Sequence, residues 1–399
     1  ICILQSERNQ KQVSSMIDIK DPKDCCGCTA CASVCPHHAI SMEADALGFL
    51  YPVVDTEKCV GCGLCDKICQ FGDYYDKSLN LKQPVAFAAR HHDNGEVMKS
   101  RSGATFVAIS DRVLSLGGVV YGAGYKDHFR VAHKRATTKG ERDEFRGSKY
   151  VQSDLTGIFR QVRDDLRSGL TVMFTGTPCQ IAGLNAFVGK QLRERLYLVD
   201  IVCHGVPGPF VWRDYLAWIE KKYGAEVSHV NFRDKEQYGW TAHQETFMLA
   251  GRKEKLAFRH RFYQDIYLRH SCGVCPFTNL HRPSDLTIAD YWGWQRTSPT
   301  INADDKGCSL VLCNTEKGRS LFSSVKGEMM VIEADLANVT QTHLTRPMTP
   351  HPKRLLFEQK YAKEGFVRTM SAFGLIGWRF YARDILQRIA RRLHITLKT

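Results

Sequence analysis

The sequence predicts a small α+β module, followed by a larger α/β domain and a helical C-terminal tail. Two cysteine-rich runs with the same spacing lie within residues 25–69. Apolar strand-like runs alternate with helix-like segments from Val85 onward, and apolar residues recur at helical spacing after Gly377. A chain of 399 residues exceeds what one compact core usually organises. The predicted domains are residues 1–80, 84–345 and 346–399.

The two cysteine runs repeat one pattern, C-x2-C-x2-C-x3-C. The first run consists of Cys25, Cys28, Cys31 and Cys35, and the second of Cys59, Cys62, Cys65 and Cys69. This is the spacing of two-cluster bacterial ferredoxins, in which three thiolates of a run bind one four-iron cube and the fourth binds the other cube. The predicted ligand sets are Cys25, Cys28, Cys31 and Cys69 for the first cluster, and Cys59, Cys62, Cys65 and Cys35 for the second. The module is therefore predicted to be a ferredoxin-like two-cluster module.

Between the runs, Ala39–Met42 and Phe49–Val53 are predicted to form two short strands around a turn. Two details depart from the ferredoxin pattern. Gln70 stands where a second proline is expected, and Cys26 is an extra thiol that we interpret as a non-ligand. Zinc binding by C-x2-C pairs is the alternative, but two identical runs of four cysteines fit it poorly.

The distribution of the cysteines along the chain indicates the cellular compartment of the protein. Of the sixteen, nine fall between Cys25 and Cys69, which favours metal ligands in a reducing compartment over disulfides. No apolar run approaches the roughly 18 residues of a membrane span, and Ile1–Lys20 shows no secretory pattern. We therefore expect a cytoplasmic protein.

The formal net charge of +13 would by itself suggest a nucleic-acid partner or an acidic membrane surface. An oxidised four-iron cluster with four thiolates contributes about −2, so three clusters would offset about six positive charges. The nucleic-acid interpretation weakens accordingly, and we expect no nucleic-acid partner.

The larger body alternates strands and helices, which predicts an α/β domain. The predicted strands include Pro84–Ala89, Val119–Ala123, Thr171–Thr175 and Arg195–Val202. The predicted helices include Ala104–Leu116, Leu155–Ser168 and Pro209–Tyr223. The glycine-rich candidate for dinucleotide binding, at residues 122–124, lacks the third glycine and the helix that should follow, so this is not a typical Rossmann unit.

Four cysteines of the body come from three places in the sequence: Cys179, Cys203, Cys272 and Cys275. Cys179 and Cys203 each follow an apolar strand, where sites gather in open α/β sheets. From spacing alone, three interpretations stay open. These are a third four-iron cluster, a zinc site that uses Cys203 and His204, and buried free thiols.

Six segments of the body carry a family resemblance. They are Arg101–Thr105, Gly147–Ser153, Thr175–Leu184, Asp200–Pro207, Cys272–Phe277 and Ser284–Gly293. In this order they resemble the coenzyme F420 hydrogenase/dehydrogenase beta-subunit family, from about Val85 to about Thr315. The resemblance implies FAD beside a third four-iron cluster held by the four body thiols. It does not fix the substrate.

The resemblance also implies flavin contacts. The first group is Ser102, Gly103, Ala104 and Thr105, at the apparent start of a helix, where small residues let a backbone approach a ring or a phosphate. An ordinary capped helix is the alternative. The further predicted cofactor contacts are Lys149, Tyr150, Gln152, Ser153, Thr177 and Gln180. For Lys149 the alternative is a solvated surface side chain.

His204, beside Cys203, is the candidate proton donor to a reduced substrate, although a lone histidine is more often structural. The predicted function is a flavin-dependent iron–sulfur oxidoreductase, because a flavin joins one-electron clusters to two-electron organic chemistry. Its expected partners are a redox protein or ferredoxin-like donor and an organic acceptor such as a deazaflavin. The alternative is a flavin-free electron-transfer subunit that serves a partner oxidoreductase.

Apolar residues of the tail recur at helical spacing between Gly377 and Lys398, surrounded by arginines. A helix on a membrane surface or on a partner is one interpretation. A helix packed on its own domain is the interpretation we favour.

Overall fold

The computed structural model describes residues 16–69, 71, 77–378 and 380. In the N-terminal module, strands β1 (Ile40–Ala44) and β2 (Leu50–Val54) pair in antiparallel fashion, with Ile40 opposite Val54. Helix α1 (Ala30–Val34) begins inside the first cysteine run, and helix α2 (Leu64–Lys67) begins inside the second. The two strands predicted between the runs are confirmed, with small shifts of their ends.

The body contains strands that form two sheets. The strands are β3 (Asn80–His91), β4 (Val119–Lys126), β5 (Arg130–Ala136), β6 (Val172–Gly176), β7 (Leu196–Ile201), β8 (Val227–Asn231), β9 (Glu245–Leu249), β10 (Arg252–Leu256), β11 (Leu286–Asp290), β12 (Ser309–Thr315) and β13 (Met329–Ala334). The large sheet has eight strands in the order β13-β3-β12-β11-β7-β6-β4-β5. The small sheet has three, in the order β10-β9-β8.

The large sheet is mixed. Strands β11, β7, β6 and β4 are parallel neighbours, whereas β12, β3, β13 and β5 pair in antiparallel fashion. Strand β12 is buried along its whole length, as expected for a strand with neighbours on both sides and helices on its faces. Because the four parallel strands run in one direction, the loops after them meet at one edge of the sheet.

Helices cover the sheet. They are α3 (Asn94–Lys99), α4 (Thr105–Ser115), α5 (Lys139–Asp143), α6 (Ile158–Arg167), α7 (Pro178–Val188), α8 (Pro209–Tyr223), α9 (Lys235–Tyr238), α10 (Phe258–Phe262), α11 (Glu316–Ser323) and α12 (Arg354–Ala372). Helix α8 has the predicted bounds, because Pro209 is compatible with a first helical turn and Gly224 ends the helix at a φ of 65°. The large sheet and its helices confirm a mixed α/β body.

Helix α12 lies in the predicted C-terminal domain and packs on the body. Its side chains Phe357, Tyr361 and Phe366 belong to the same buried cluster as Trp212 and Tyr215 of α8. The predicted basic helix between Gly377 and Lys398 lies almost entirely outside the described residues. Within the described part of the chain, each helix is too short or too polar to cross a membrane.

Candidate functional site

The first predicted ligand set is brought together by the module. Burial raises the pKa of Cys31, and the nearby charges of Cys28, Cys25 and Cys69 raise it further. Gly27 has a φ of 68°, and its backbone N–H donates to the Sγ atom of Cys25 at 3.3 Å. This left-handed turn, which favours glycine, lets the loop present backbone and thiol groups to one point.

The second predicted set lines a separate cavity. Cys35 of the first run meets Cys59, Cys62 and Cys65 of the second run there, beside Ile40. The backbone N–H of Ala39 donates to the Cys35 Sγ atom at 3.4 Å, and that of Ile17 to the Cys65 Sγ atom at 3.3 Å. The structure therefore groups Cys35 with three thiols of the second run, and Cys69 with three thiols of the first.

The four body thiols converge from three segments. Cys179 lies in the first turn of α7, Cys203 follows β7, and Cys272 and Cys275 lie in and just after a 3-10 helix at His270–Val274. Burial raises the pKa of Cys203 well above its ordinary value, and the charges of the other three thiols raise it further. Burial likewise raises the pKa values of Cys272 and Cys275 to about 12. Thiols so close and so buried ionise only with a compensating cation.

The four body thiols, here called the body set, lie against the first module set. That set consists of Cys25, Cys28, Cys31 and Cys69. Cys26 is buried, and its thiol lies close enough to the thiols of Cys28 and Cys179 for the three to influence one another's pKa values. The nearby Cys26 thiol is the main reason why the pKa of Cys179 is lowered to about 7. Helix α7 approaches the module so closely that a Cβ atom on Gly183 would lie 2.7 Å from the Cys28 Sγ atom. Cys26, interpreted from sequence as a non-ligand, thus occupies the boundary between the two sets.

Gln152 and Ser153, predicted to contact a cofactor, are buried beside this boundary. The Gln152 Nε2 atom donates to the carbonyl oxygen of Cys26 at 2.9 Å. Ser153 lies 2.6 Å from the Nδ1 atom of His133, whose Nε2 atom lies 2.8 Å from the carbonyl oxygen of Thr175. Because a carbonyl can only accept, Nε2 carries the proton and the Ser153 hydroxyl donates to Nδ1. Both side chains therefore have partners within the protein.

The segment Ser102–Thr105 lies at the sheet edge where β3 ends and the antiparallel strand β12 begins. The Ser102 hydroxyl donates to the carbonyl oxygen of Cys308 at 2.5 Å, and the Gly103 N–H donates to the Ser309 hydroxyl at 2.9 Å. A Cβ atom on Gly103 would lie 2.2 Å from the Ala89 carbonyl oxygen, so backbone packing alone requires glycine here.

The next two residues, Ala104 and Thr105, lead into helix α4. Ala104 adopts a left-handed conformation with a φ of 65° and precedes helix α4, which begins at Thr105. The Thr105 hydroxyl is buried and has no hydrogen-bond partner among the described residues. A buried hydroxyl without a partner is costly, which makes this oxygen the atom of the segment most suited to meet a ligand.

Lys149 is not a solvated surface side chain. It is partly buried, and its Nζ atom donates to the carbonyl oxygens of Glu144 at 2.6 Å and Arg146 at 3.2 Å. Burial lowers its pKa to about 7. The neighbouring Tyr150 packs edge-on against Phe262, with ring centroids 5.2 Å apart.

Thr177 and Gln180 cap the helix that carries Cys179. The Thr177 N–H donates to the Gln180 Oε1 atom at 3.0 Å, and the Thr177 hydroxyl lies 3.2 Å from the Cys179 Sγ atom. The Gln180 Nε2 atom is 3.5 Å from the Ser153 carbonyl oxygen. This capping box sets the direction in which the Cys179 thiol leaves the helix.

His204 is held between two side chains that the sequence analysis did not single out. Its Nδ1 atom lies 2.7 Å from the Nε2 atom of His343, and its Nε2 atom lies 2.6 Å from the Oδ1 atom of Asp265. Both ring nitrogens are therefore engaged, which orients the imidazole and favours a positioning role.

The sequence analysis also did not identify Lys235, whose amino group lies near Ser102. The Lys235 Nζ atom is buried and donates to the carbonyl oxygens of Ser102 at 3.0 Å and Lys306 at 2.6 Å, and burial lowers its pKa to about 7. Asp290 accepts hydrogen bonds from Arg233 and from the Trp240 indole. Asp290 lies in the segment 284–293, which the sequence analysis recognised as a family motif. Lys235 lies in no recognised motif, so its sequence context does not indicate a functional role.

In the described part of the chain, no three His, Cys, Asp or Glu side chains are arranged around the position of a single metal ion. A four-iron cluster requires a different ligand arrangement, in which each thiolate binds its own iron atom at one corner of the cube. The chemistry of the donor sets fits such a cube, because each set offers four thiols and no carboxylate or imidazole.

Comparisons with known proteins agree with this donor chemistry. Residues 24–72 match the model of the 4Fe-4S dicluster domain, which assigns iron–sulfur clusters to the module. Residues 169–338 match the model of the C-terminal part of the beta subunit of coenzyme F420 hydrogenase/dehydrogenase. No curated protein matches the sequence.

A structure of the F420-reducing NiFe hydrogenase complex from Methanosarcina barkeri contains a similar chain. The identity is 18%, the match covers 75% of this chain and 93% of that chain, and the TM-score is 0.45. The family therefore rests on the sequence matches. Over residues 169–338 the chain is similar to the C-terminal part of the coenzyme F420 hydrogenase/dehydrogenase beta subunit, and over residues 24–72 it is similar to the 4Fe-4S dicluster domain.

Proposed function

We propose that the chain is a flavin-dependent iron–sulfur oxidoreductase with two four-iron clusters in residues 1–80 and a third, together with FAD, in residues 84–345. Residues 346–399 form the C-terminal domain. The enzyme exchanges electrons with a redox protein or ferredoxin-like donor and with an organic two-electron acceptor such as a deazaflavin. The observation that carries this proposal is the convergence of Cys179, Cys203, Cys272 and Cys275 beside Cys28 of the module.

The position of the body thiols favours a third cluster over the zinc site. A structural zinc ion stabilises a fold wherever its ligands lie and has no redox chemistry. The body thiols instead adjoin the first module set, with Cys26 in contact with both Cys28 and Cys179. Redox centres exchange electrons over short distances, so this proximity supports a redox centre at each of the two sets.

The chain's own residues support these groups in three ways. Two short sulfur-facing loops give backbone N–H groups to the thiolates, as Gly27 does for Cys25. The Thr177–Gln180 capping box orients Cys179. The pair His343 and Asp265 orients His204 at the body set, and His204 would donate a proton to a substrate only after one of these two hydrogen bonds opens. When bound, the clusters supply one-electron transfer and the flavin supplies exchange between one-electron and two-electron chemistry.

The sheet edge from Ser102 to Lys149 is where FAD would bind. The Thr105 hydroxyl fits it as a buried oxygen in need of a partner, and the Lys235 amino group fits it as a buried polar group at the Ser102 turn. The Lys149 amino group is held by the carbonyl oxygens of Glu144 and Arg146. Ser102, Gly103, Gln152 and Ser153 would act through the backbone or through neighbours, because their polar groups already have protein partners.

The test is anaerobic purification, with iron, acid-labile sulfide and flavin measured on the same sample. Three clusters require about twelve irons, and one FAD is expected per chain. The Cys179→Ser variant should keep about eight irons, whereas Cys313→Ser, which changes a buried strand cysteine outside all three sets, should keep all of them. About eight irons and no flavin in the unmodified protein would instead support the flavin-free electron-transfer subunit.

A further inference from the structure

Arg269 is a buried cation between the two adjoining thiol sets. Its side chain belongs to the body, three residues before Cys272, and only 1% of the residue is exposed. The Nε atom donates to the carbonyl oxygen of Cys25 at 2.8 Å, and Nη2 donates to the carbonyl oxygen of Leu50 at 2.9 Å. The guanidinium also lies over the ring of Tyr51, 4.3 Å from its centroid. A single side chain of the body therefore reaches deep into the module.

The guanidinium also faces sulfur. Its Nη2 atom lies 3.6 Å from the Cys25 Sγ atom, and its charge favours the ionised thiols of Cys28, Cys179 and Cys272. These thiols come from both the first module set and the body set. Gly27 lies so close that a Cβ atom there would be 2.8 Å from the Arg269 Nη1 atom, so the cysteine loop is built around this cation.

Arg269 has no carboxylate within ion-pair distance among the described residues. Its polar partners there are carbonyl oxygens, the Gln152 amide oxygen at 3.0 Å and the Cys25 thiol. A buried charge that lacks an opposite charge is strongly unfavourable. Arg282, which is buried to the same degree, pairs with Asp200 at 3.0 Å, whereas Arg261 resembles Arg269 in having a carbonyl and a hydroxyl oxygen as its hydrogen-bond partners. Unlike Arg261, Arg269 lies beside thiols of two sets, and their thiolates would supply the opposite charge that Arg269 lacks.

We propose that Arg269 is a positioning residue that serves as the shared counter-charge of the first module cluster and the body cluster and raises the reduction potential of both. This inference rests on the proposed function, since it requires clusters at both sets. A cluster gains one negative charge when it is reduced, and a fixed cation in a low-dielectric site stabilises that form. The second module set has its own cavity around Cys62 and serves as an internal reference.

The test is an EPR-monitored redox titration of the full chain with Arg269→Gln and Arg269→Lys. In the glutamine variant we expect the one-electron equilibrium constant for reduction of both flanking clusters to fall at least tenfold, which is about 59 mV. The second module cluster should keep its potential. The lysine variant keeps the charge but not the planar fork, so it should recover most of the shift. Arg142→Gln, which changes a buried arginine paired with Asp111, is the matched control and should shift none of the three.

Iron content separates the possible failures. Twelve irons in Arg269→Gln with unchanged potentials would overturn the counter-charge and leave the proposed function intact. If the body set of the unmodified protein contains no iron, both the counter-charge role of Arg269 and the proposed function are wrong. If the glutamine variant loses its clusters on purification, the lysine variant decides. Reduction potentials equal to those of the unmodified protein support the counter-charge role of Arg269. A tenfold fall in the reduction equilibrium constant of a fully loaded lysine variant contradicts that role.

Discussion

The side-chain amide of Gln152 bridges the two parts of the molecule, because its Nε2 atom donates to the Cys26 carbonyl oxygen while its Oε1 atom accepts from Arg269. The first contact joins residues 126 positions apart in the chain. The amide therefore satisfies a carbonyl of the cysteine loop and a nitrogen of the buried cation at once. Because neither group is open to water, the module and the body are expected to lose stability together when this amide is removed.

Substitution of Gln152 by leucine tests this bridge. Leucine has a similar size but leaves the Cys26 carbonyl and one Arg269 nitrogen without a partner, so we expect a loss of about 1–3 kcal/mol in the free energy of unfolding. Anaerobic urea unfolding followed by circular dichroism measures it. Gln161→Leu changes an exposed glutamine of α6 and should alter stability by less than about 0.5 kcal/mol. Equal midpoints for the two variants would mean that the bridge contributes nothing.

The contrast between the cysteines and Gln152 shows what the sequence could predict. Cysteine spacing is local and its chemistry is restrictive, so the pattern alone suffices to predict two ligand sets that exchange Cys35 and Cys69. Helix α8 was equally accessible, since a proline and a glycine mark its ends. The partners of Gln152 and Ser102 were not accessible, because they lie more than a hundred residues away and amides and hydroxyls accept many partners. The antiparallel pairing of β3 with β12 and β13 was not predicted either, because it joins segments far apart in the chain.

His133 predicts a pH dependence of stability. Burial lowers its pKa from an ordinary value near 6.5 to about 4. Between these values the unfolded chain binds more protons than the folded one, so stability falls as the pH falls. From about pH 7.5 to about pH 5.5 we expect His133 to remove about 1 kcal/mol of stability.

His133→Gln should remove this part of the pH dependence, because glutamine does not titrate but can still donate to the Thr175 carbonyl and accept from Ser153. Urea midpoints of the two proteins, measured at both pH values, give the difference. His229→Gln changes an exposed histidine of β8 and serves as control. An undiminished slope in His133→Gln would show that other groups cause the acid sensitivity.

Thr105→Val separates a flavin contact from an ordinary helix start. Valine has the shape of threonine without the hydroxyl, and this hydroxyl has no partner among the described residues. If the hydroxyl meets FAD, the flavin dissociation constant should rise roughly tenfold, which is the loss of one hydrogen bond, while the iron content stays the same. Fluorescence titration of flavin-depleted protein measures the constant.

The stability of the flavin-free protein provides a second measurement for the same variant. Removing a buried unpartnered hydroxyl should leave it unchanged or raise it. Ser115→Ala, at an exposed position of the same helix, is the control for both measurements. A Thr105→Val protein that binds flavin normally but unfolds more easily would assign the hydroxyl to the helix rather than to the cofactor.

The three thiol sets should differ in their resistance to oxidation. Cys62 of the second set is exposed, and 61% of the neighbouring Val60 is exposed too. The body set and the first set instead face each other across Cys26, Arg269 and Gln152, all of them buried. Loss of a cluster to an oxidant and a chelator requires access to its irons and thiolates. We therefore expect about four irons to leave first, from the second set.

Timed treatment with ferricyanide and EDTA, followed by alkylation and mass spectrometry, identifies the thiols that are freed. Cys59 and Cys62 should be alkylated during the first phase, and Cys179 and Cys272 only during a later one. Cys313, buried in β12 and outside all sets, reports on global unfolding and should stay unmodified in the first phase. Early alkylation of Cys179 without Cys313 would show that the boundary between module and body opens more easily than the exposed second site.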